Sequence, residues 1–120
     1  MKVNEHMSPR ARKYQLQETG HTGEAYKYNG IKFDGIENSK LLETKGPGFR
    51  KFIAKDGTFQ WWFRGKEALL DQAATQAKVA GANGMSVEWR VAEREFADAL
   101  RQFFKGRGVT VTVVHKPMLP

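Results

Sequence analysis

The predicted fold is decided by Ile31-Lys32-Phe33-Asp34-Gly35-Ile36 and, after a short polar link, by Leu41-Leu42-Glu43-Thr44-Lys45-Gly46-Pro47-Gly48. Each half contains a short apolar run of strand length. Asp34 lies on the first run, and Glu43 and Lys45 lie two residues apart on the second. Residues two apart in a strand point to the same face, so Glu43 and Lys45 are expected to project together. Two carboxylates and one ammonium group can therefore converge.

Such a group of charges suits the cleavage of phosphodiesters. Two carboxylates can bind a hard divalent cation through oxygen and leave coordination positions for water and a phosphate oxygen. A neighbouring lysine can orient the attacking water or help to deprotonate it. The same lysine can offset the charge that develops on the pentacoordinate phosphate. The stretch therefore indicates phosphodiester chemistry.

The length and the charge of the chain limit the classes of protein to which it can belong. A chain of 120 residues is expected to form a single domain. A net charge of +7, from 20 basic and 13 acidic residues, suits a polyanionic partner, but a soluble basic protein without one is an equal alternative. The absence of cysteine excludes disulfides, thiolate nucleophiles and cysteine zinc sites. No apolar run is long enough to predict a membrane span, and no signal peptide is evident.

The order of the predicted elements indicates an α/β fold. Residues 1–13 are interpreted as a linker and the start of the first helix, which Ser8-Pro9 begins, and residues 14–120 as the domain. Asn29-Gly30 predicts a tight hairpin turn, because both residues tolerate positive φ. Strands are predicted at 24–28, 31–36, 41–45, 86–91 and 109–114, and helices at 10–18, 66–80 and 92–105, with Gly81 ending the second helix. This order favours a mixed central sheet with helices on its faces.

Two glutamines on the second predicted helix are candidate site residues. Gln72 and Gln76 are four residues apart and therefore adjacent on the helix, at the edge of its apolar arc of Leu69, Ala73, Ala77 and Ala80. Either amide could cross to the sheet and bond a water, a scissile phosphate or a metal-binding carboxylate. An ordinary surface pair is the alternative.

Residues 49–63 interleave aromatic rings with lysine and arginine. Such a stretch could follow a phosphate backbone and stack on exposed bases. Rings at this density more often fill a core, however. The sequence leaves both roles open.

From Tyr14 to Pro117 the chain resembles the restriction-endonuclease-fold toxin domains at the carboxyl ends of bacterial polymorphic toxins, particularly type VI secretion effectors. The spacing Asp-x8-Glu-x-Lys of Asp34, Glu43 and Lys45 is similar to the arrangement of that fold. The other stretches that carry the resemblance are 28–35, 42–48, Asp71-Gln72-Ala73 with Gln76, Val87-Glu88-Trp89 with Ala92-Glu93, and 113–117.

The resemblance implies a restriction-endonuclease-like fold and a metal-dependent endonuclease that cleaves nucleic acid, with DNA expected before RNA. It assigns Asp34 and Glu43 as ligands of Mg²⁺ or Mn²⁺ and Lys45 as the catalytic lysine. Gln72 or Gln76 would be the accessory polar group of the catalytic set. The fold often has proline before its first acid, where this chain has Phe33, and it can take a further acid from the first helix or strand, such as Glu18 or Glu24.

The resemblance also implies partners and a place of action. The domain would be released from a longer polypeptide that a dedicated secretion apparatus delivers, and would act in the cytoplasm of a competing bacterium. A cognate immunity protein, expected to be acidic, would neutralise it. Two other hypotheses remain open: a basic nucleic-acid-binding module in which Asp34, Glu43 and Lys45 form a structural ion pair, and a hydrolase of small phosphodiesters or nucleotides.

Overall fold

The structure is a computed structural model that describes residues 2–4, 8–20 and 24–120, with side chains described at 8–20 and 27–120. Predictions that concern residues 5–7 and 21–23, and the side chain of Glu24, lie outside these ranges. Within them, no helix has both the length and the apolar character needed to cross a bilayer. In chain order the elements are β1 (Lys2–Asn4), α1 (Pro9–Thr19), β2 (Glu24–Tyr28), β3 (Ile31–Phe33), β4 (Gly35–Glu37), β5 (Lys40–Lys45), a 3₁₀ turn (Arg50–Phe52), α2 (Lys66–Ala82), β6 (Ser86–Val91), α3 (Arg94–Gly106) and β7 (Thr112–His115).

The described strands form two sheets. In the smaller sheet β2 lies between β1 and β3, and both pairings are antiparallel. The larger sheet has the order β4-β5-β6-β7. In it β4 and β5 are antiparallel, whereas β5, β6 and β7 are parallel to one another. The predicted α/β class with a mixed sheet is confirmed.

The hairpin is confirmed, but its second strand is divided. Asn29 and Gly30 have φ values of 52° and 81°, as a tight turn of this kind requires. The sequence predicted one strand over 31–36, whereas β3 ends before Asp34 and β4 begins after it. The strand divides because β3 pairs with β2 while β4 pairs with β5. Asp34 is therefore the point at which the chain passes from one sheet to the other.

The three predicted helices are present, but their ends differ from the predicted ones by up to two residues, and α3 begins at Arg94 rather than at Ala92. The Ser8 side chain accepts a hydrogen bond of 3.2 Å from the Ala11 N–H and caps α1. Gly81 was expected to end α2, but this helix continues to Ala82. A glycine inside a helix costs only about 1 kcal/mol relative to alanine, which burial of the preceding turn can offset. The buried face of α2 carries Gln76 where the apolar pattern favoured Ala77.

Strand β6 is buried on both faces. Val87, Trp89 and Val91 join the hydrophobic core, in which the Trp89 and Phe104 rings are perpendicular with centroids 5.1 Å apart. The sequence predicted a half-buried strand with Glu88 and Arg90 on the outer face, yet both are buried there too. Their burial is possible because they bond each other.

The ion pair of β6 is part of a small charged network beside α1. Arg90 Nε donates to Glu88 Oε2 at 2.7 Å, and its Nη1 donates to the backbone oxygen of Glu18 at 2.7 Å. Arg90 Nη2 bonds Glu37 at 3.3 Å. Burial alone would raise the pKa of Glu88, but the hydrogen bond and charge of Arg90 outweigh burial and hold that pKa below its usual range. The network ties α1 and β4 to the centre of the sheet.

Candidate active site

Asp34, Glu43 and Lys45 line one pocket of about 190 Å³. The rest of the lining is formed by Ala11, Gln15, Thr44, Gly46 and Phe49. The pocket therefore lies between α1 and the second half of β5. The structure brings together the three residues that the spacing predicted to converge.

Asp34 is held where the chain changes sheets. Its backbone N–H donates to the Leu42 carbonyl at 2.7 Å. Its side-chain Oδ2 accepts two hydrogen bonds from Thr44, from the backbone N–H at 2.7 Å and from Oγ1 at 2.9 Å. Asp34 as a whole is 7% exposed. Thr44, which stands between the acid and the lysine of β5, thus fixes the first acid relative to the other two groups.

Glu43 and Lys45 project to the same side of β5, as their spacing predicted. Glu43 Oε2 lies 3.2 Å from Lys45 Nζ, and both side chains are largely buried. Lys45 Nζ also donates to Gln72 Oε1 at 3.0 Å. A buried ammonium with two oxygen partners keeps a defined position, because losing either contact leaves a poorly solvated charge.

Gln76 holds the other oxygen of Glu43. Its Nε2 donates to Glu43 Oε1 at 3.0 Å, and its Oε1 accepts a hydrogen bond of 2.8 Å from Trp89 Nε1. An indole N–H can only donate, so the amide must present its oxygen to Trp89 and its NH₂ group to the carboxylate. The Trp89 ring also lies 4.9 Å from Lys45 Nζ, within range of a cation–π contact.

The two predicted glutamines therefore have different positions and partners. Gln72 bonds the lysine and Gln76 bonds the second acid. Both also line a neighbouring cavity of about 370 Å³, together with Lys32 and Asp71. They contact the charged groups from the side of α2, whereas α1 lines the pocket through Ala11 and Gln15. The alternative of an ordinary surface pair does not fit Gln76, which is 1% exposed.

Gln15 is the pocket residue that the sequence analysis missed. It is buried on α1 and lines the pocket with Ala11, one turn earlier. The four-residue spacing of Ala11 and Gln15 is the available signal, since it places both on one face of the helix. Glu18, considered as a further acid, lies instead beside Arg90, at 3.9 Å from its Nη1.

The model of the restriction endonuclease fold toxin 5 family matches residues 11–94, which is more than half of the chain. The chain belongs to this family. The matched range contains all five predicted site residues, and the resemblance inferred from the sequence is confirmed. No curated protein matches the chain.

The pocket of this restriction endonuclease fold toxin has a donor set that fits a divalent cation. Asp34 and Glu43 offer carboxylate oxygens, the ligand type that Mg²⁺ and Mn²⁺ prefer. Within the described residues, no group of three or more histidine, cysteine or acidic side chains comes together. Two carboxylates suffice for Mg²⁺, which usually keeps several waters and takes further oxygens from a substrate phosphate.

The loop after β5 in the toxin is anchored by Glu93. One oxygen of this carboxylate, Oε1, accepts hydrogen bonds from the backbone N–H groups of Gly48, Phe49 and Arg50, at 3.1, 2.8 and 2.9 Å. Gly48 has a φ of 119°, which favours glycine. A Cβ at Gly46 would lie 3.3 Å from the Ala11 Cα, so glycine allows α1 to approach the pocket closely. These contacts fix the wall of the pocket that Phe49 forms.

Proposed function

We propose that the chain is a metal-dependent endonuclease that cleaves nucleic acid in competing bacteria, with DNA rather than RNA as the expected substrate. The observation that carries this proposal is the convergence of Asp34, Glu43 and Lys45 on one pocket in a restriction endonuclease fold toxin. Two carboxylates and an ammonium group provide the charges that phosphodiester hydrolysis requires.

Each side chain has a role in this proposal. Asp34 and Glu43 would hold the divalent ion, Mg²⁺ or Mn²⁺. When bound, such an ion supplies Lewis-acid stabilisation of phosphate charge and a lowered pKa of water. Lys45 would orient the attacking water and offset charge on the phosphate. Gln72 and Gln76 would position Lys45 and Glu43 through their hydrogen bonds of 3.0 Å each.

The biological setting belongs to the same proposal. Residues 14–120 would be the toxin domain of a longer polypeptide, delivered by a type VI secretion apparatus into the cytoplasm of the target cell. A cognate immunity protein would neutralise it. Membership of a toxin family supports this setting. The net charge of +7 favours an acidic immunity protein and a polyanionic substrate.

The proposal is tested by plasmid cleavage. Purified protein is incubated with supercoiled plasmid in Mg²⁺ or in EDTA, and with RNA in parallel. We expect nicking of the plasmid that needs Mg²⁺ and that Glu43→Ala abolishes. The control is Glu67→Ala, which removes an exposed carboxylate of α2 that pairs with Arg107. Cleavage that survives both chelation and Glu43→Ala would refute the proposal.

One observation favours a second candidate, a basic binding module without catalysis. Glu43 and Lys45 already form an ion pair of 3.2 Å that could be purely structural. Lys45→Ala separates the two functions. In the endonuclease the change abolishes nicking and weakens binding only modestly. In the binding module no nicking exists to lose, and the salt dependence of binding falls by about 0.9 in log–log slope if Lys45 contacts one phosphate.

A further inference from the structure

The aromatic stretch between β5 and α2 divides into two groups. Phe49 stacks on Phe96 with ring centroids 4.4 Å apart, and Phe52 stacks on Phe63 at 4.2 Å. Phe49 and Phe63 pack against the hydrophobic core, so packing explains this group. Trp61, in contrast, is 89% exposed, and Trp62 is 45% exposed. Core packing therefore does not account for Trp61.

Trp61 is presented by an anchored turn. The Phe63 N–H donates to the Gln60 carbonyl at 3.0 Å, which closes a four-residue turn with both tryptophans at its centre. The turn is tied down at its start, where the Gln60 N–H donates to the Phe52 carbonyl at 2.7 Å. The Trp62 and Phe52 rings pack in a T-shaped arrangement with centroids 5.8 Å apart. A backbone turn held in place in this way loses little conformational freedom when a ligand stacks on Trp61.

The surroundings of Trp61 along the chain are basic. Residues 49–66 contain five basic residues and one acid, Asp56, which bonds Thr58. Arg50, Lys51, Lys55 and Arg64 are exposed. Within the described part of the chain, Lys51, Lys55 and Arg64 form no ion pair, and the pair of Arg50 with Glu95 is long, at 3.9 Å. The charge of this stretch is thus available to an anionic ligand.

The same stretch adjoins the candidate active site. Its first residue, Phe49, lines the pocket with Glu43 and Lys45. Its last residues lead into α2, which carries Gln72 and Gln76. A strand of nucleic acid that occupies the pocket could therefore continue onto residues 50–64.

We propose that residues 60–64 bind single-stranded nucleic acid, with Trp61 stacked on an unpaired base and Arg64 close to a phosphate. This inference rests on the proposed function, because it specifies the substrate of that site. Stacking needs an open base face, which a strand without a partner offers and a continuous duplex hides. The uncompensated basic side chains favour nucleic acid over an uncharged protein surface.

The test measures binding apart from cleavage. Fluorescence anisotropy in EDTA compares a labelled oligothymidylate with the same strand in a duplex. We expect Trp61→Ala to weaken single-strand binding about 5- to 100-fold, with little effect on the duplex and no change in salt slope. Trp61→Phe should retain part of the affinity. Arg64→Gln should instead lower the slope by about 0.7. Leu119→Ala, which removes another exposed apolar side chain, is the control.

The outcomes are distinct. Single-strand affinity that Trp61→Ala leaves unchanged would overturn the inference and indicate a protein contact for Trp61. An equal loss for single strand and duplex would also overturn it, because stacking on an unpaired base could not then be the cause. Plasmid cleavage in Mg²⁺ is measured on the same preparations. Should the unmodified chain fail to cleave while Trp61→Ala loses single-strand binding, the proposed function fails and the binding surface stands.

Discussion

The hydrogen bonds that run from Trp89 through Gln76 to Glu43 make a quantitative prediction. Gln76→Leu roughly preserves side-chain volume but removes the hydrogen bonds of the amide, at 2.8 Å to Trp89, 3.0 Å to Glu43 and 3.4 Å to the Lys32 carbonyl. A buried polar group left without a partner costs about 1–3 kcal/mol. Because the buried Trp89 N–H and the buried Glu43 carboxylate each lose a partner, we expect Gln76→Leu to lower the free energy of unfolding by about 2–5 kcal/mol.

Trp89→Phe provides the second half of a double-mutant cycle. It removes the indole N–H and leaves an aromatic ring in the core beside Phe104. Alone, it should cost about 1–3 kcal/mol, since the oxygen of Gln76 loses its donor. When Trp89→Phe is combined with Gln76→Leu, the indole N–H and the amide oxygen that it bonds are both absent, so neither is left without a partner. The double variant should therefore lose about 1–2 kcal/mol less stability than the sum of the two single losses.

Urea unfolding of the four proteins measures this coupling. Gln102→Leu, at an exposed position of α3, is the control and should change the free energy of unfolding by no more than about 0.5 kcal/mol. Additive effects of Gln76→Leu and Trp89→Phe would refute the reasoning, because two residues that share a buried hydrogen bond cannot be independent.

Two further predictions concern stability. Gly65→Ala should destabilise the fold by about 1–3 kcal/mol in thermal or urea unfolding, because the new Cβ would lie 2.6 Å from the Phe63 ring. Gly81→Ala, inside α2 with open space around it, should instead stabilise the fold by about 0.5–1 kcal/mol. Equal effects of the two substitutions would contradict this account of the space around each glycine. Because the pKa of Glu88 is lowered in the folded protein, its carboxylate is protonated in the unfolded chain at a higher pH than in the folded one. The contribution of Glu88 to stability is therefore present above about pH 4.5 and is lost as the pH falls below that value. Unfolding measured from pH 7 to pH 3 should show a shallower decline in Glu88→Gln, and an unchanged pH profile would contradict the role of the Arg90 contact.

The parts of the fold that the sequence predicted depend on local signals. Asn29-Gly30 determines its turn through its own φ preferences. The spacing of Glu43 and Lys45 places them on one face of any strand. The alternation over Ser86–Val91 was likewise enough to predict β6 with its correct bounds. In each case the residues that carry the signal are also the residues that form the structure.

The parts that the sequence did not predict depend on distant partners. The break at Asp34 arises because its two flanking strands pair with different neighbours, β2 and β5. Burial of Glu88 depends on the Arg90 contact. The position of Gln15 in the pocket depends on how α1 docks near Gly46. The position of Gln76 at the helix edge suggested a contact with the sheet. That its NH₂ group bonds Glu43 rather than its oxygen bonding Lys45 follows from the Trp89 N–H, which occupies the amide oxygen.

Cleavage by Asp34→Asn tests most directly whether the pocket is a nuclease site. Asparagine keeps an oxygen that can accept both hydrogen bonds from Thr44, so the variant should fold, and urea unfolding checks this. We expect Mg²⁺-dependent plasmid cleavage to fall by at least about 100-fold, because the variant loses the charge that is proposed to bind the metal. Asp71→Asn, on the neighbouring cavity, should cleave normally. A folded Asp34→Asn protein that cleaves at the rate of the unmodified chain would contradict the assignment of this pocket.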